Sequence, residues 1–250
     1  MQPEATDPWA FLQTHTPARI ARGRIGHSLP TRALLDFQLD HARARDAVYS
    51  QTDVETLLTH LRRLSGGEPL HLHSQATDRQ MFLLRPDRGR RLDEKSVNAL
   101  KNWSGRPSDL VIVVADGLSA TAVNRHALPV ISGLLEVCAA AGWAVGPVCL
   151  VEQGRVAIAD EIGYGLRADM VVMLIGERPG LSSPDSLGAY LTYRPRPGLT
   201  DESRNCVSNI RPEGLPYEAA VQKLMYLLTE MKRRRLSGVM LKDESDRLPG

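Results

Sequence analysis

From Asp109 onward the chain alternates unbroken apolar runs with polar, glycine-bearing turns. Leu110-Val111-Ile112-Val113-Val114 is a continuous run of the kind found in strands buried on both faces, as in a parallel sheet. Asp116-Gly117-Leu118-Ser119 then turns into a helical stretch reaching Ala141, interrupted by Pro129 and stopped by Gly142. A second strand is expected over residues 145–152, a helix over 155–167 and a third strand over 170–175, closing in Gly176-Glu177-Arg178-Pro179-Gly180. Strand, turn and helix recur in order, which predicts an α/β fold: a Rossmann-like C-terminal domain with a mostly parallel sheet over residues 106–250.

The front third has a different rhythm. Residues 1–30 are broken by Pro17, Gly23, Gly26 and Pro30 and are expected to form an arm that needs a surface to order it. Thr31 is placed to cap a half-buried helix with the face Leu34, Phe37, His41, Ala44 and Val48. A second helix is expected from Asp53, with Val54, Leu57, Leu58, Leu61 and Leu64 at helical spacing and Gly66-Gly67 as its stop. Residues 71–87 have mixed turn and strand character, and a short helix is expected from Asp93 to near Trp103. The polar connection at 104–108 marks a boundary, giving residues 1–105 as a smaller, largely helical N-terminal domain preceded by the arm.

Composition narrows the function classes. With 42% hydrophobic and 24% charged residues, the 250-residue chain reads as an ordinary globular protein, and its apolar runs are too short to cross a bilayer. The opening Met1-Gln2-Pro3-Glu4 has no basic region followed by an apolar stretch, so a cytoplasmic location is expected. Cys138, Cys149 and Cys206 are odd in number and widely spaced, which fits reduced thiols. The charge balance of 31 basic against 29 acidic residues does not support a nucleic-acid partner. The local run Lys232-Arg233-Arg234-Arg235 is expected to be the solvated end of a helix.

Ligands of open α/β sheets gather beyond the carboxyl ends of the strands, here the turns at 116–121, 152–156 and 177–186. The first is either a plain tight turn with Ser119 capping the following helix or a contact for a polar ligand group. The stretch 176–186 fixes its backbone with Gly and Pro while leaving hydroxyls and charges free, and it reads equally as a functional turn or a connector. Residues 204–214 form a second polar stretch of that type, in which Cys206 reads as a buried small hydrophobe. His71 and His73 alternate on one strand face without a clear third ligand, so no metal site is expected there, and His41 is expected in a core or interface.

Four segments carry a resemblance. Ala115-Asp116-Gly117-Leu118-Ser119-Ala120-Thr121-Ala122, the stretch from Leu174-Ile175-Gly176-Glu177-Arg178-Pro179-Gly180 to Leu187-Gly188, Arg204-Asn205-Cys206 with Ser208-Asn209-Ile210-Arg211-Pro212-Glu213-Gly214, and Leu236-Ser237-Gly238-Val239 with Leu241-Lys242-Asp243 resemble the small subunit of ethanolamine ammonia-lyases. Upstream, Thr16-Pro17-Ala18-Arg19-Ile20, Ser28-Leu29-Pro30-Thr31 and the stretch from Leu39-Asp40-His41 to Ala47-Val48 are similar to it too, so the likeness spans nearly the whole chain after the first fifteen residues.

The resemblance implies a lyase that uses adenosylcobalamin and radical chemistry to convert ethanolamine, and related vicinal amino alcohols, into acetaldehyde and ammonia. It implies a large-subunit partner that holds the substrate, in a hetero-oligomer of paired chains, a dodecamer. Cobalamin lies between the two chains, and the small subunit supplies no catalytic residue and no metal ligand. Family contacts to cobalamin transfer onto Val156, Glu177 and Cys206, expected at or beside the ligand-edge turns. No Asp-x-His-x-x-Gly motif occurs, so the cofactor is expected base-on, keeping its own base as lower cobalt ligand. Some members carry an amphipathic leader for bacterial microcompartments; here only Trp9-Ala10-Phe11-Leu12 resembles one, which leaves that location open. Two other readings stand beside this one: a cobalamin carrier or assembly protein without catalysis, and a free-standing nucleotide-using enzyme, against which the lack of GxGxxG or a Walker loop counts.

Overall fold

The structure is a computed structural model that describes residues 7–16 and 18–244. Pro17, Met1-Gln2-Pro3-Glu4 and the chain beyond Glu244 lie outside the described residues. Six strands, β1 (Leu70–His73), β2 (Ser108–Ala115), β3 (Cys149–Glu152), β4 (Ala168–Gly176), β5 (Leu187–Tyr193) and β6 (Arg204–Ile210), form one sheet in the order β1-β3-β2-β4-β5-β6. The pairs from β1 to β4 are parallel, while β4–β5 and β5–β6 are antiparallel. The sheet is therefore mixed and mostly parallel.

Period-two side-chain alternation gives the sheet two buried faces. On one, Leu110, Ile112 and Val114 of β2 and Met170, Val172 and Leu174 of β4 pack under helices α2 (Val54–Ser65), α5 (Ala120–Ala140) and α7 (Tyr217–Arg234). On the other, Val111, Val113 and Ala115 with Val171, Met173 and Ile175 pack against α4 (Glu94–Lys101) and α6 (Ile158–Gly165). Burying each such aliphatic side chain contributes about 1.5–3 kcal/mol before chain entropy is counted.

The local signals explain most boundaries. Asp53 caps α2 by accepting from Thr56 N at 3.2 Å, and Gly66 ends it at φ +67. Asp93 caps α4 by accepting from Ser96 N at 2.7 Å. The basic run closes α7, with Lys232 2.6 Å from Asp109 and both Arg233 and Arg234 paired to Glu230.

Elsewhere the structure corrects the pattern. Helix α1 (Thr31–Tyr49) starts after Pro30 with no side-chain cap, and Thr31 is its first residue rather than its cap. It is not half-buried: of its residues only Ala47 is buried, while Leu34, Leu35, Phe37 and Leu39 are exposed, and His41 is exposed beside Phe37 instead of lying in a core. Pro129 does not interrupt α5, which runs through it. Residues 71–87 contain β1 and a six-residue helix, α3 (Arg79–Leu84), started by Asp78, which accepts from Met81 N. The strand expected over 145–152 is reduced to β3, with only an isolated bridge from Val145 to Leu110, because Gly146-Pro147 separates them. Strand β1 lies before the boundary expected at 105/106 yet pairs with β3, and Leu57 and Leu61 of α2 share a core with β2 and α5.

Helix α5 carries the chain from β2 out to β3 on one face, and α6 returns it across the other face to β4 on the far side of β2. The connections thus diverge at the β2/β4 pair, and a cleft opens beyond the carboxyl ends of those strands.

Candidate functional site: a crevice at the ends of β2 and β4

That cleft is a crevice of about 440 Å³, with Phe82, Leu118, Arg155, Val156, Glu177 and Tyr190 among its walls. Its floor is the meeting of two turns. Gly117 has φ +54, and a Cβ there would lie 2.3 Å from Gly176 O; a Cβ on Gly176 would lie 2.0 Å from Ser119 O. Leu118 N donates to Gly176 O at 2.9 Å, so the ends of β2 and β4 are closed on each other by backbone alone. Ser119 caps α5, accepting from Ala122 N, and donates its hydroxyl to Pro184 O at 2.9 Å.

Asp116 sits beneath this floor, 4% exposed. Its Oδ1 accepts from Gly117 N at 3.0 Å and Gly154 N at 3.1 Å, and its Oδ2 faces Arg79 Nη1 at 3.5 Å. Burial pushes the carboxyl up to about 6, with Arg79 and the backbone donors opposing the rise. Arg155, on the turn after β3, lies over the Phe82 ring at 4.4 Å and donates to Phe82 O at 2.8 Å. Burial lowers its guanidinium from the ordinary arginine range, and Arg90, Arg79 and Arg178 add to the effect.

Glu177 opens the loop after β4. Its Oε2 accepts from the Ser186 hydroxyl and from Asn209 N at 3.1 Å, while Oε1 accepts no hydrogen bond from the described residues. The carboxylate lies over Gly188, where a Cβ would come within 2.9 Å of Oε1, so a larger residue there would push the Glu177 side chain aside. Tyr190 of β5 lies directly opposite Cys206 of β6, which sets both side chains on one face of the pair. The Tyr190 hydroxyl is raised by burial, with Cys206 and Glu177 adding in the same direction.

The structure therefore brings Val156 and Glu177 into one crevice and sets Cys206 one strand outward, beside Tyr190. Cys206 is exposed, not a buried small hydrophobe, and it lies on a strand, not in a turn: residues 204–210 are β6. The polar character that read as a loop is that of an edge strand, of which Arg204, Val207 and Ile210 are the buried residues. Arg204 is nevertheless held, forming a buried ion pair with Asp160 of α6 and a second with Asp201 at 2.9 Å.

Pattern reading missed Arg79, Phe82 and Tyr190, because α3 and β5 were not expected; the Asp78 cap before Met81-Phe82-Leu83-Leu84 was the available signal for α3. It also missed a network under the 177–186 loop. Asp185 takes Arg125 at 2.9 Å and buried His126 at 3.4 Å, and His126 meets the Tyr217 hydroxyl at 2.8 Å. His71 pairs with Glu152 at 2.7 Å and His73 with Ser74 O at 2.7 Å, and no group of three potential metal ligands occurs among the described residues. No helix among the described residues is long and apolar enough to cross a membrane.

Comparison with known proteins agrees with this chain over its length. The profile of the ethanolamine ammonia-lyase light chain family matches residues 6–242. A protein of Azotobacter vinelandii named ethanolamine ammonia-lyase small subunit is 58% identical over 247 residues, covering 98% of this chain and 91% of its own. Proteins of the same name from Pseudomonas aeruginosa and Pseudomonas fluorescens are 58% and 57% identical, with 97% and 98% of this chain covered and 89% and 91% of theirs. By profile and by identity alike, the chain belongs to the ethanolamine ammonia-lyase small (light) subunit family.

Proposed function

We propose that this chain supplies one side of the cobalamin site of an ethanolamine ammonia-lyase and that the large subunit supplies the rest, including the substrate pocket. The observation that carries the proposal is the crevice itself, in which two of the three contact positions implied by resemblance, Val156 and Glu177, share walls at the point where the sheet's connections diverge.

The residues fit a corrin edge chemically. Cobalamin presents apolar ring surface fringed with amide groups. The crevice offers Leu118 and Val156 as apolar surface over the buried Phe82 and Ile175, and Glu177 Oε1 as an acceptor without a partner among the described residues. Arg155 lines the same crevice and adds a cation to its wall, its Nε being buried without a partner among the described residues. When bound, adenosylcobalamin would supply the radical that takes hydrogen from ethanolamine, while this chain's residues would bind, orient and shield it. No acid–base pair on this side of the site is needed for that role. The absence of an Asp-x-His-x-x-Gly sequence favours the base-on form.

The reading includes a Rossmann-like classification for the sheet and a cytoplasmic hetero-oligomer of paired large and small chains. Its partner surface follows from exposure. Of fourteen exposed large hydrophobic side chains among the described residues, ten lie between Trp9 and Tyr49, on the arm and α1. Arg19 of the arm pairs with Asp40 of α1 and reaches Leu181 O at 3.5 Å, so this surface continues to the loop that carries Glu177.

Equilibrium cobalamin binding by the assembled enzyme tests the site. Glu177→Ala is expected to weaken the affinity about tenfold while leaving assembly intact, as the loss of one hydrogen bond to a charged acceptor would. Unchanged affinity would remove Glu177 from the site.

A further inference from the structure

We infer that Arg79, which does not itself line the crevice, is the positioning residue that ties the crevice floor to the end of helix α1. This rests on the crevice being the cobalamin site.

One guanidinium makes the connections. Arg79 Nε donates to Val48 O at 2.6 Å, a carbonyl in the last turn of α1 that has no helical partner of its own. Its Nη1 donates to Gly117 O at 2.8 Å and lies 3.5 Å from both Asp116 Oδ2 and Gln153 Oε1. Its carbon stands 4.7 Å from the centre of the buried Phe82 ring, the ring that Arg155 also covers. Gly117, Phe82 and Arg155 are crevice walls. Arg79 thus orders two of them directly and the third through the shared ring.

A lysine could not reproduce this. Its ammonium is a point donor, whereas the contacts from α1, the β2 turn and the Phe82 face require a planar fork with a flat face. The geometry also links two surfaces, because α1 presents its exposed apolar residues outward while its last turn is held by Arg79. Ordering of α1 by a partner is therefore transmitted to the floor of the crevice through Arg79, beside the Ser50 hydroxyl that joins Ala47 O to Thr121 N.

The experiment uses the assembled enzyme and measures equilibrium binding of cyanocobalamin across pH, alongside kcat and the KM for adenosylcobalamin. The groups facing Asp116 are Arg79 from α3 and the amides of Gly117, Gln153 and Gly154, with Tyr49 at the end of α1 beside Arg79 and Arg155, Arg90 and Arg178 behind. In the wild type, affinity falls as pH drops through about 6, where Asp116 takes up a proton and stops opposing Arg79. Arg79→Gln is expected to weaken binding about tenfold or more, raise KM with kcat at saturating cofactor little changed, and move the pH inflection upward, since Asp116 has lost its cation. Arg79→Lys is expected to keep the inflection near the wild-type position while binding with intermediate affinity, and it decides the matter should Arg79→Gln fail to assemble. If both variants bind as the wild type does while Glu177→Ala is weakened, the inference about Arg79 is overturned and the site stands. If Glu177→Ala and both Arg79 variants all bind normally, the site reading falls and takes the inference with it.

Discussion

Asp116 is buried against a single cation, and its raised proton affinity has a definite sign for stability. The folded-state value of about 6 lies above the unfolded value of 3.8. Below the lower value both states hold the proton and nothing is lost. Between the two, the folded chain binds a proton that the unfolded chain has released, so stability falls as pH rises, by about 3 kcal/mol in total once pH exceeds 6. Asp116→Asn retains an Oδ1 acceptor for Gly117 N and Gly154 N but cannot ionise. Urea unfolding at several pH values between about 4 and 7 is expected to show the variant gaining on the wild type as pH rises. A constant difference across that range would mean that Asp116 does not titrate as its burial requires. A carboxylate held at this cost beside Arg79 is explained by placement of the turn, not by stability. Nothing in the pattern marked it as buried, since a strand-end Asp before Gly reads equally well as a solvated turn residue.

At the scale of elements, the close approach of the β2 and β4 ends requires Gly117. Gly117→Ala would combine a left-handed backbone angle with a Cβ 2.3 Å from Gly176 O. The expected outcome is a loss of at least about 1–2 kcal/mol in thermal unfolding, with cobalamin affinity reduced, because the turns must separate. A variant as stable as the wild type would show that the floor can open without penalty. Helix α1 predicts the reverse behaviour. Leu35 and Leu39 lie one turn apart and are both exposed, at 57% and 51%. Replacing both with Ser should leave the stability of the unassembled chain within about 0.5 kcal/mol while weakening capture of the large subunit in a pull-down. Equal capture would place the partner elsewhere. The two cases show what pattern could convey. Capped helices such as α2 and α4 were legible because Asp53, Asp93 and Gly66 act locally. The burial of α1 was misjudged because an apolar stripe states that a face will be covered, not by which chain.

Across the whole molecule, the parallel core was readable from β-branched runs, whereas the antiparallel extension was not. Strand β5 alternates Leu187, Ala189 and Leu191 with Gly188, Tyr190 and Thr192, and β6 is an edge strand rich in polar residues. Neither has the continuous apolar signature that marks a strand buried on both faces. That extension carries Tyr190 and Cys206, so half of the candidate site's outer wall was hidden, while the turns carrying Val156 and Glu177 were located in advance. The resulting molecule is an α/β frame with an open crevice at one sheet end and an exposed apolar arm beside it. The most direct test is ammonia release from ethanolamine with adenosylcobalamin present, measured for this chain alone, for the large subunit alone and for the two together. Release only by the combined chains is the predicted result; turnover by this chain alone would contradict the account.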